Sequence, residues 1–439
     1  MTSKIVVNNI EADAGINTVT ISGDVTATNV TGTHHGSAAN LTSISAGNLT
    51  GTVADARIST LTASKLTGTL PAISATNLTN LPAANLTGTL PAISGANLTN
   101  LPASGKATNL VVNGAMLVAQ RGTSSTGTGY ETVDRFKYTY SGTDNAPTQA
   151  QVDVASGTTP YTLGFRKAYR ITNANQTSVG VSDRIRLEVN LEAQDIANSG
   201  WNYTSSSSYV TLSFWCKSSV AQNFYGNIRT PDGTSQQYSF ETGSLTADTW
   251  TKVTKTIPGN SNLTFDNNAE LGWNMDITMF MGTNNTTSGN TMNQWYAYDS
   301  SNQMPDNTAT WYTTNGATWE ITGLKLEVGD SATDFEHLSF TDDLRKCHRY
   351  FQELHIYTYV GVSTNVLFIE SFNFHGGQMR STPSITGHRG ATGENKFEGG
   401  GGDYGCTLYH ANNEYIAIYG GGGSVNNYVR GSFDCDAEL

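Results

Sequence analysis

This chain is short of charge, of helix formers and of cysteine. Asp, Glu, Lys and Arg supply only 14% of its 439 residues. The 24 basic residues are outnumbered by 36 acidic ones, a net charge of -12. A polyphosphate would be repelled, so nucleic acid is not an expected partner. No apolar run approaches the ~18 residues of a membrane span, so no membrane insertion is expected. The opening Met1-Thr2-Ser3-Lys4-Ile5 has no apolar signal region, which argues against Sec export. The four cysteines (Cys216, Cys347, Cys406, Cys435) lack CxxC spacing and lie too far apart to suggest zinc. They are expected as thiols packed like small hydrophobes.

Catalytic signatures are missing as well. The sequence has no GxSxG, HExxH or Walker A pattern. Asp342-Asp343 is a carboxylate pair, but neighbouring residues on a strand point to different sides. A glycosidase needs two carboxyls ~5–10 Å apart across a cleft. His34-His35 is read as a solvated pair rather than a metal site on a symmetry axis. The expectation is a non-enzyme without cofactor or metal.

What is abundant is Gly (45 residues), with Thr, Asn and Ser. These turn and strand formers point to an all-β protein. A near-exact repeat of about 20 residues runs from Leu66 to Ala103, and a looser copy, Asn48 to Ile58, precedes it. Collagen is excluded because Gly does not fall at every third position. A coiled coil is excluded because heptads are absent and Pro71, Pro82, Pro91 and Pro102 interrupt. Each repeat has too few apolar residues to close a core alone. Leu66, Leu70, Ile73, Leu78, Leu81, Leu86, Leu90, Ile93, Leu98 and Leu101 are therefore expected to face an axis shared by several chains.

The chain divides into four zones. Residues 1–36 alternate apolar and polar positions and suit a small β-element for attachment. Residues 37–105 form the repetitive shaft. Residues 106–340 carry many strand-like runs, among them Leu110-Val111-Val112, Arg184 to Val189, Tyr209 to Cys216, Met275 to Phe280 and Trp319 to Val328. They indicate a β-sandwich of jelly-roll type. Leu191 to Ile196 is a short helical candidate. Residues 341–439 open on a helical turn or link (Asp342 to Phe351) and continue as a smaller β-domain broken by glycine clusters at Gly399–Gly402 and Gly420–Gly423.

Sugar recognition needs aromatic faces for C–H surfaces, and amides or carboxylates for hydroxyls. Trp295, Tyr296, Tyr298 and Asp299 lie in a polar loop, with Trp311 and Tyr312 nearby, and Trp201 with Tyr203 is a second cluster. Tyr404, Tyr409, His410, Asn412, Asn413 and Tyr415 flank the glycine clusters in the last zone. Each set has a bland reading: aromatics packed on a sandwich edge or in a subunit interface.

Three motifs carry a family resemblance. Asn48-Leu49-Thr50-Gly51-Thr52-Val53-Ala54-Asp55-Ala56-Arg57 is similar to segments of bacteriophage fibre shafts. Leu110 to Met116, with Gln120-Arg121-Gly122 and Val133-Asp134-Arg135-Phe136, is the second. Trp319 to Gly329, with Ala332 to Glu336 and Cys347-His348-Arg349-Tyr350-Phe351, is the third. The order of parts resembles a bacteriophage tail fibre or receptor-binding protein, cyanophage-like, with a carbohydrate-binding-module-like jelly roll. The resemblance implies a homotrimer in the virion tail fibre, made in the host cytoplasm and docked through its N-terminus to tail or baseplate proteins. It would bind a host surface polysaccharide of lipopolysaccharide type. A glycan depolymerase tailspike and a structural spacer or decoration fibre are the alternatives.

Overall fold

A computed structural model describes residues 108–362, 368–388, 396–399, 402–420 and 425–439, with Ser22 and Thr26. Apart from those two positions, the expected anchor and shaft lie outside the described residues, as do all ten expected axis residues. The described residues from Thr108 onward belong to one compact unit.

The strands are β1 (Ser124–Ser125), β2 (Phe136–Ser141), β3 (Thr148–Asp153), β4 (Lys167–Thr172), β5 (Arg184–Glu192), β6 (Tyr209–Ser218), β7 (Asn223–Thr230), β8 (Gln236–Ser244), β9 (Thr251–Pro258), β10 (Leu271–Met281), β11 (Trp295–Ala297) and β12 (Thr318–Val328). They continue as β13 (Phe351–Val362), β14 (Phe368–Asn373), β15 (Ser384–His388), β16 (Lys396–Gly399), β17 (Gly402–Ala411), β18 (Tyr415–Gly420) and β19 (Val425–Asp436). The helices are short: α1 (Thr159–Thr162), α2 (Ala193–Ala197), α3 (Thr310–Thr313) and α4 (Phe340–Cys347). The expected all-β architecture is what the described residues adopt.

Two six-stranded antiparallel sheets, ordered β1-β3-β4-β12-β6-β9 and β11-β8-β7-β10-β5-β2, face each other. One hydrophobic cluster takes side chains from both, including Phe214, Ile321 and Leu326 from the first and Leu187, Ile228 and Ile277 from the second. This is a β-sandwich consistent with a jelly roll. The alternation explains which face each residue takes. On β5, Ile185, Leu187, Val189 and Leu191 enter the core, while Arg184, Arg186, Glu188 and Asn190 point away from it.

β12 breaks its own alternation. Trp319 and Ile321 reach the core from odd positions, Leu324 and Leu326 from even ones. The register shift between Thr322 and Lys325 marks a bulge, and Gly323 sits there at φ 65°. A Cβ at Gly323 would come 2.6 Å from the Phe165 ring, so only glycine fits. Past the bulge, Lys325 and Glu327 lie on the outer face as a buried ion pair at 2.9 Å. Thr333 donates to Glu327 through its N–H at 2.8 Å and its hydroxyl at 2.5 Å. The Trp319–Gly329 motif and its Thr333 partner therefore staple the loop after β12 onto the sheet.

Two local expectations change. Leu110-Val111-Val112 is a turn rather than a strand, because Asn113 and Met116 both take φ 60°. Asn113 makes that turn possible: its amide donates to Val118 O (2.9 Å) and Asp134 O (3.0 Å) and accepts from Val118 N–H (3.0 Å). The helical candidate at Leu191 to Ile196 begins as strand, because Leu191 and Glu192 still pair with Trp273 and Leu271 on β10, and α2 starts at Ala193.

The third sheet is ordered β13-β19-β16-β17-β18-β14, with β15 also pairing β19. Its core holds Leu354, Phe374, Met379, Ile416 and Phe433. The residues Arg349-Tyr350-Phe351 tie it to the sandwich. Arg349 donates to both oxygens of Glu192 at 2.7 Å, and the Tyr350 hydroxyl donates to the same carboxylate at 2.7 Å. Burial pushes the Glu192 carboxyl up, but these bonds outweigh it and hold it below its ordinary range. Arg135 is buried over the Tyr350 ring (3.4 Å), ion-pairs with Glu438 and donates to Asn190 O (2.6 Å). Arg121 stacks on Phe351 at 3.6 Å and pairs with Asp436 at 2.9 Å. The residues that carry the second and third sequence motifs thus meet as one latch between sandwich and third sheet.

Candidate functional site

The outward face of the second sheet is a polar carpet in register across the strands. One rung runs Lys137 (β2), Glu188 (β5), Asp276 (β10), Asn227 (β7) and Ser239 (β8). A neighbouring rung holds Asn190, Asn274, Arg229, Gln237 and Tyr296, and the rung on the other side Thr139, Arg186, Thr278, Tyr225 and Glu241. Cross-strand neighbours of this kind sit ~5 Å apart, so their side chains interact directly. Arg186 pairs with Glu188 at 2.9 Å and Asp276 at 3.4 Å. The Asn274 amide donates to Asn190 Oδ1 at 2.7 Å.

The carpet forms the floor of a groove of ≈ 390 Å³. One wall is the segment Tyr298–Gln303. Asn227 and Ser239 both donate to Gln303 O at 2.7 Å, and Gln237 donates to Asn302 O at 2.9 Å. The Arg229 guanidinium lies over the Tyr298 ring at 4.1 Å. Leu439 closes the opposite end, its main-chain oxygen accepting from Tyr130 Oη (2.9 Å) and Asn190 Nδ2 (3.0 Å). Amides, carboxylates and guanidinium forks on a rigid sheet, with a tyrosine at the rim, suit many directed hydrogen bonds to hydroxyl-rich ligands.

Asp276 is 2% exposed, and burial pushes its carboxyl up to about 6 against the pull of Arg186. Its ordinary value is 3.8, so between pH ~4 and ~6 the folded protein binds a proton that the unfolded chain has released. Stability from this group is present at low pH and lost as pH rises through that window. Relative to Asp276→Asn, the wild type should lose ~2–3 kcal/mol as pH rises from 4 to 6, then run parallel above it. Denaturant melts of both proteins across that range measure the difference; parallel curves throughout would refute it.

The aromatic candidates divide by burial. Tyr298 is half-buried at the groove rim, and Asp299 is exposed, capping Ser301 through its N–H (2.9 Å) and hydroxyl (2.7 Å). Tyr296 is half-buried, with its hydroxyl against Ser239 Oγ at 2.8 Å. Trp295 is only 9% exposed, donates to Pro258 O at 2.7 Å and packs on Tyr238 and Trp273. It borders a second hollow of ≈ 460 Å³ with Gln236 and Asn262, but offers that hollow little of its ring. Trp201 is 3% exposed, and Tyr203 packs beside it against Phe265 at 4.9 Å.

Trp311 and Tyr312 are fully buried, so burial removes them as sugar platforms. Tyr312 stacks on Phe280 at 4.3 Å and donates to Asp183 at 2.8 Å. In the third sheet Tyr404 falls on β17, Tyr409 is 63% exposed, and His410 and Tyr415 are ring neighbours at 5.7 Å. A larger hollow, ≈ 1030 Å³ beside Thr108 to Leu110 and Tyr209, gathers Gln194, Asp195, Asn198 and Lys346, with no rung of side chains across paired strands among the described residues.

Sequence reasoning missed the groove floor. Its signal is the polar half of the alternation in Arg184-Ile185-Arg186-Leu187-Glu188-Val189-Asn190, the half that a strand assignment from apolar spacing ignores.

Set against known families and curated proteins, the sequence matches none. Among solved structures it is similar to the enzymatically active domain of bacteriophage CBA120 tailspike protein 4, at 12% identity and TM-score 0.28, over 50% of this chain and 21% of that one. It is also similar to TmCBM61, solved in complex with β-1,4-galactotriose, at 9% identity and TM-score 0.24, over 51% of this chain and 99% of that one. A third is the tripod from the baseplate of bacteriophage Tuc2009, at 11% identity and TM-score 0.22, over 52% and 58%.

Proposed function

We propose that this protein is a glycan-binding adhesin of the bacteriophage tail-fibre kind that its sequence motifs resemble, with host polysaccharide bound in the groove on the second sheet. The observation that carries this reading is the polar floor. Across β2, β5, β10 and β7 it presents charged and amide side chains in register, in a concave site rimmed by Tyr298. Surface sheets that only meet water have no need for such buried, preorganised groups, because desolvating them costs free energy unless they gain partners. The virion location, homotrimeric shaft, N-terminal docking and absence of catalysis belong to the same proposal. Weak sites repeated on one fibre would gain avidity on a glycan-coated surface.

Tyr298→Ala tests the site. Its ring lies at the rim, so folding should be unaffected, while glycan affinity should fall about tenfold, as expected for loss of an aromatic contact and of the support it gives Arg229. Binding of full-length protein to immobilised polysaccharides measures this. Unchanged affinity would move the site away from the groove. New reducing ends released from a bound glycan would replace the adhesin with a depolymerase.

A further inference from the structure

Among its side chains the groove has four cations, Lys137, Arg184, Arg186 and Arg229, against two carboxylates, Glu188 and Asp276. Arg186 is answered by Glu188 and Asp276. Lys137, Arg184 and Arg229 are not: none of the three makes an ion pair among the described residues, although all line the groove. The Arg184 Nε is buried without any hydrogen-bond partner. Buried polar groups are almost always paired, and an unpaired guanidinium nitrogen is costly. Arg229 is held ready by its stack on Tyr298 and a 3.1 Å bond from Nε to Ser235 Oγ, which leaves its Nη groups free of bonds within the described residues. All this occurs in a chain of net charge -12, whose exposed surface charges are screened beyond ~8 Å at physiological salt, so local groove charges decide.

We infer that the glycan taken by this groove is acidic, carrying carboxylate, sulfate or phosphate groups that pair with Arg184, Arg229 and Lys137. The inference rests on the glycan-binding reading and names the substrate class for the same site. Guanidinium forks match planar carboxylates in bidentate geometry and hold phosphate and sulfate equally well. Lys137 on β2 and Arg229 on β7 are three strand spacings apart, about 14 Å at ~4.8 Å each, so they address an oligosaccharide rather than one sugar. Glu188 and Asp276 hold Arg186 between them, and the Asn190 and Asn227 amide nitrogens are already committed to Leu439 and Gln303, so hydroxyl recognition falls to the half-buried Asn274.

The test uses full-length protein on immobilised polygalacturonate, alginate, hyaluronan and chondroitin sulfate. The neutral panel is galactan, xylan, mannan and carboxyl-reduced polygalacturonate. The expected result is retention on one or more acidic polymers, weakened by salt, with no retention on the neutral ones. Arg184→Ala and Arg229→Ala should each weaken it about tenfold. Lys252→Ala, an exposed cation on the first sheet, should leave it unchanged. Asp276→Asn should strengthen it, a direction that misfolding cannot produce. Binding to neutral polymers only, or binding indifferent to salt and to both arginines, overturns the acidic inference and leaves the glycan reading standing. Retention on no polymer of either panel overturns the glycan reading of this groove, and the inference falls with it.

Discussion

Arg135→Ala should cost about 3–5 kcal/mol and lower Tm by roughly 10 °C, because it strands a buried carboxylate. Arg135 and Glu438 are 3% and 4% exposed at their side chains. With Arg135 gone, Glu438 keeps only Arg121, at 3.5 Å, among the described residues. The Tyr350 ring loses the guanidinium that lies 3.4 Å over it, and Asn190 O loses its donor. Arg135 has a φ of 74°, but alanine pays the same backbone cost, so the difference reports the side chain. The third sheet should come loose before the sandwich unfolds, since the latch belongs to both. Calorimetry should resolve two transitions where the wild type has one, and limited proteolysis should cut first near α4. A single transition at the wild-type temperature would refute the latch. Replacing both partners, Arg135→Met with Glu438→Leu, should cost less than the single change, because no charge is left buried.

Trp273→Ala is the second large effect, again about 3–5 kcal/mol, from a cavity in the aromatic core of the sandwich. Trp273 is 1% exposed and lies edge-on to Trp201 at 6.2 Å and Trp295 at 6.0 Å. These rings fill the core beneath the groove floor, and Asn274 beside Trp273 belongs to that floor. The variant should therefore lose glycan affinity along with stability, whereas Trp273→Phe should keep most of both. Equilibrium denaturation with tryptophan fluorescence measures it, and a loss below 1 kcal/mol would show that the cluster is loosely packed.

The two predictions also mark where sequence reading succeeded and where it stopped. Strands with apolar residues at every second position were legible, because a half-buried strand must alternate. The turn at Asn113 was not, since three consecutive apolar residues look like a strand until the left-handed asparagine is seen. The burial of the aromatic candidates was not legible either. Trp201, Trp295, Trp311 and Tyr312 sit among polar residues in sequence, yet the chain folds those loops so that the rings point inward and the polar neighbours outward. The groove was legible only as a pattern of charges on β5 and β10. Its meaning depends on the register that sets Asp276 beside Glu188 and Asn227, and that register is a long-range pairing invisible in any one segment.

The same alternation has a consequence for how such a protein can change over generations. On β5 the groove takes even-numbered positions and the core odd ones; on β7 the parity is reversed. On the proposed reading, recognition and folding are written on interleaved letters of the same strands. A lineage whose ligand changes can, on that reading, rewrite one set of letters and leave the other intact. Specificity is then free to drift at positions such as 184, 227, 229 and 274, while the residues between them hold the scaffold constant.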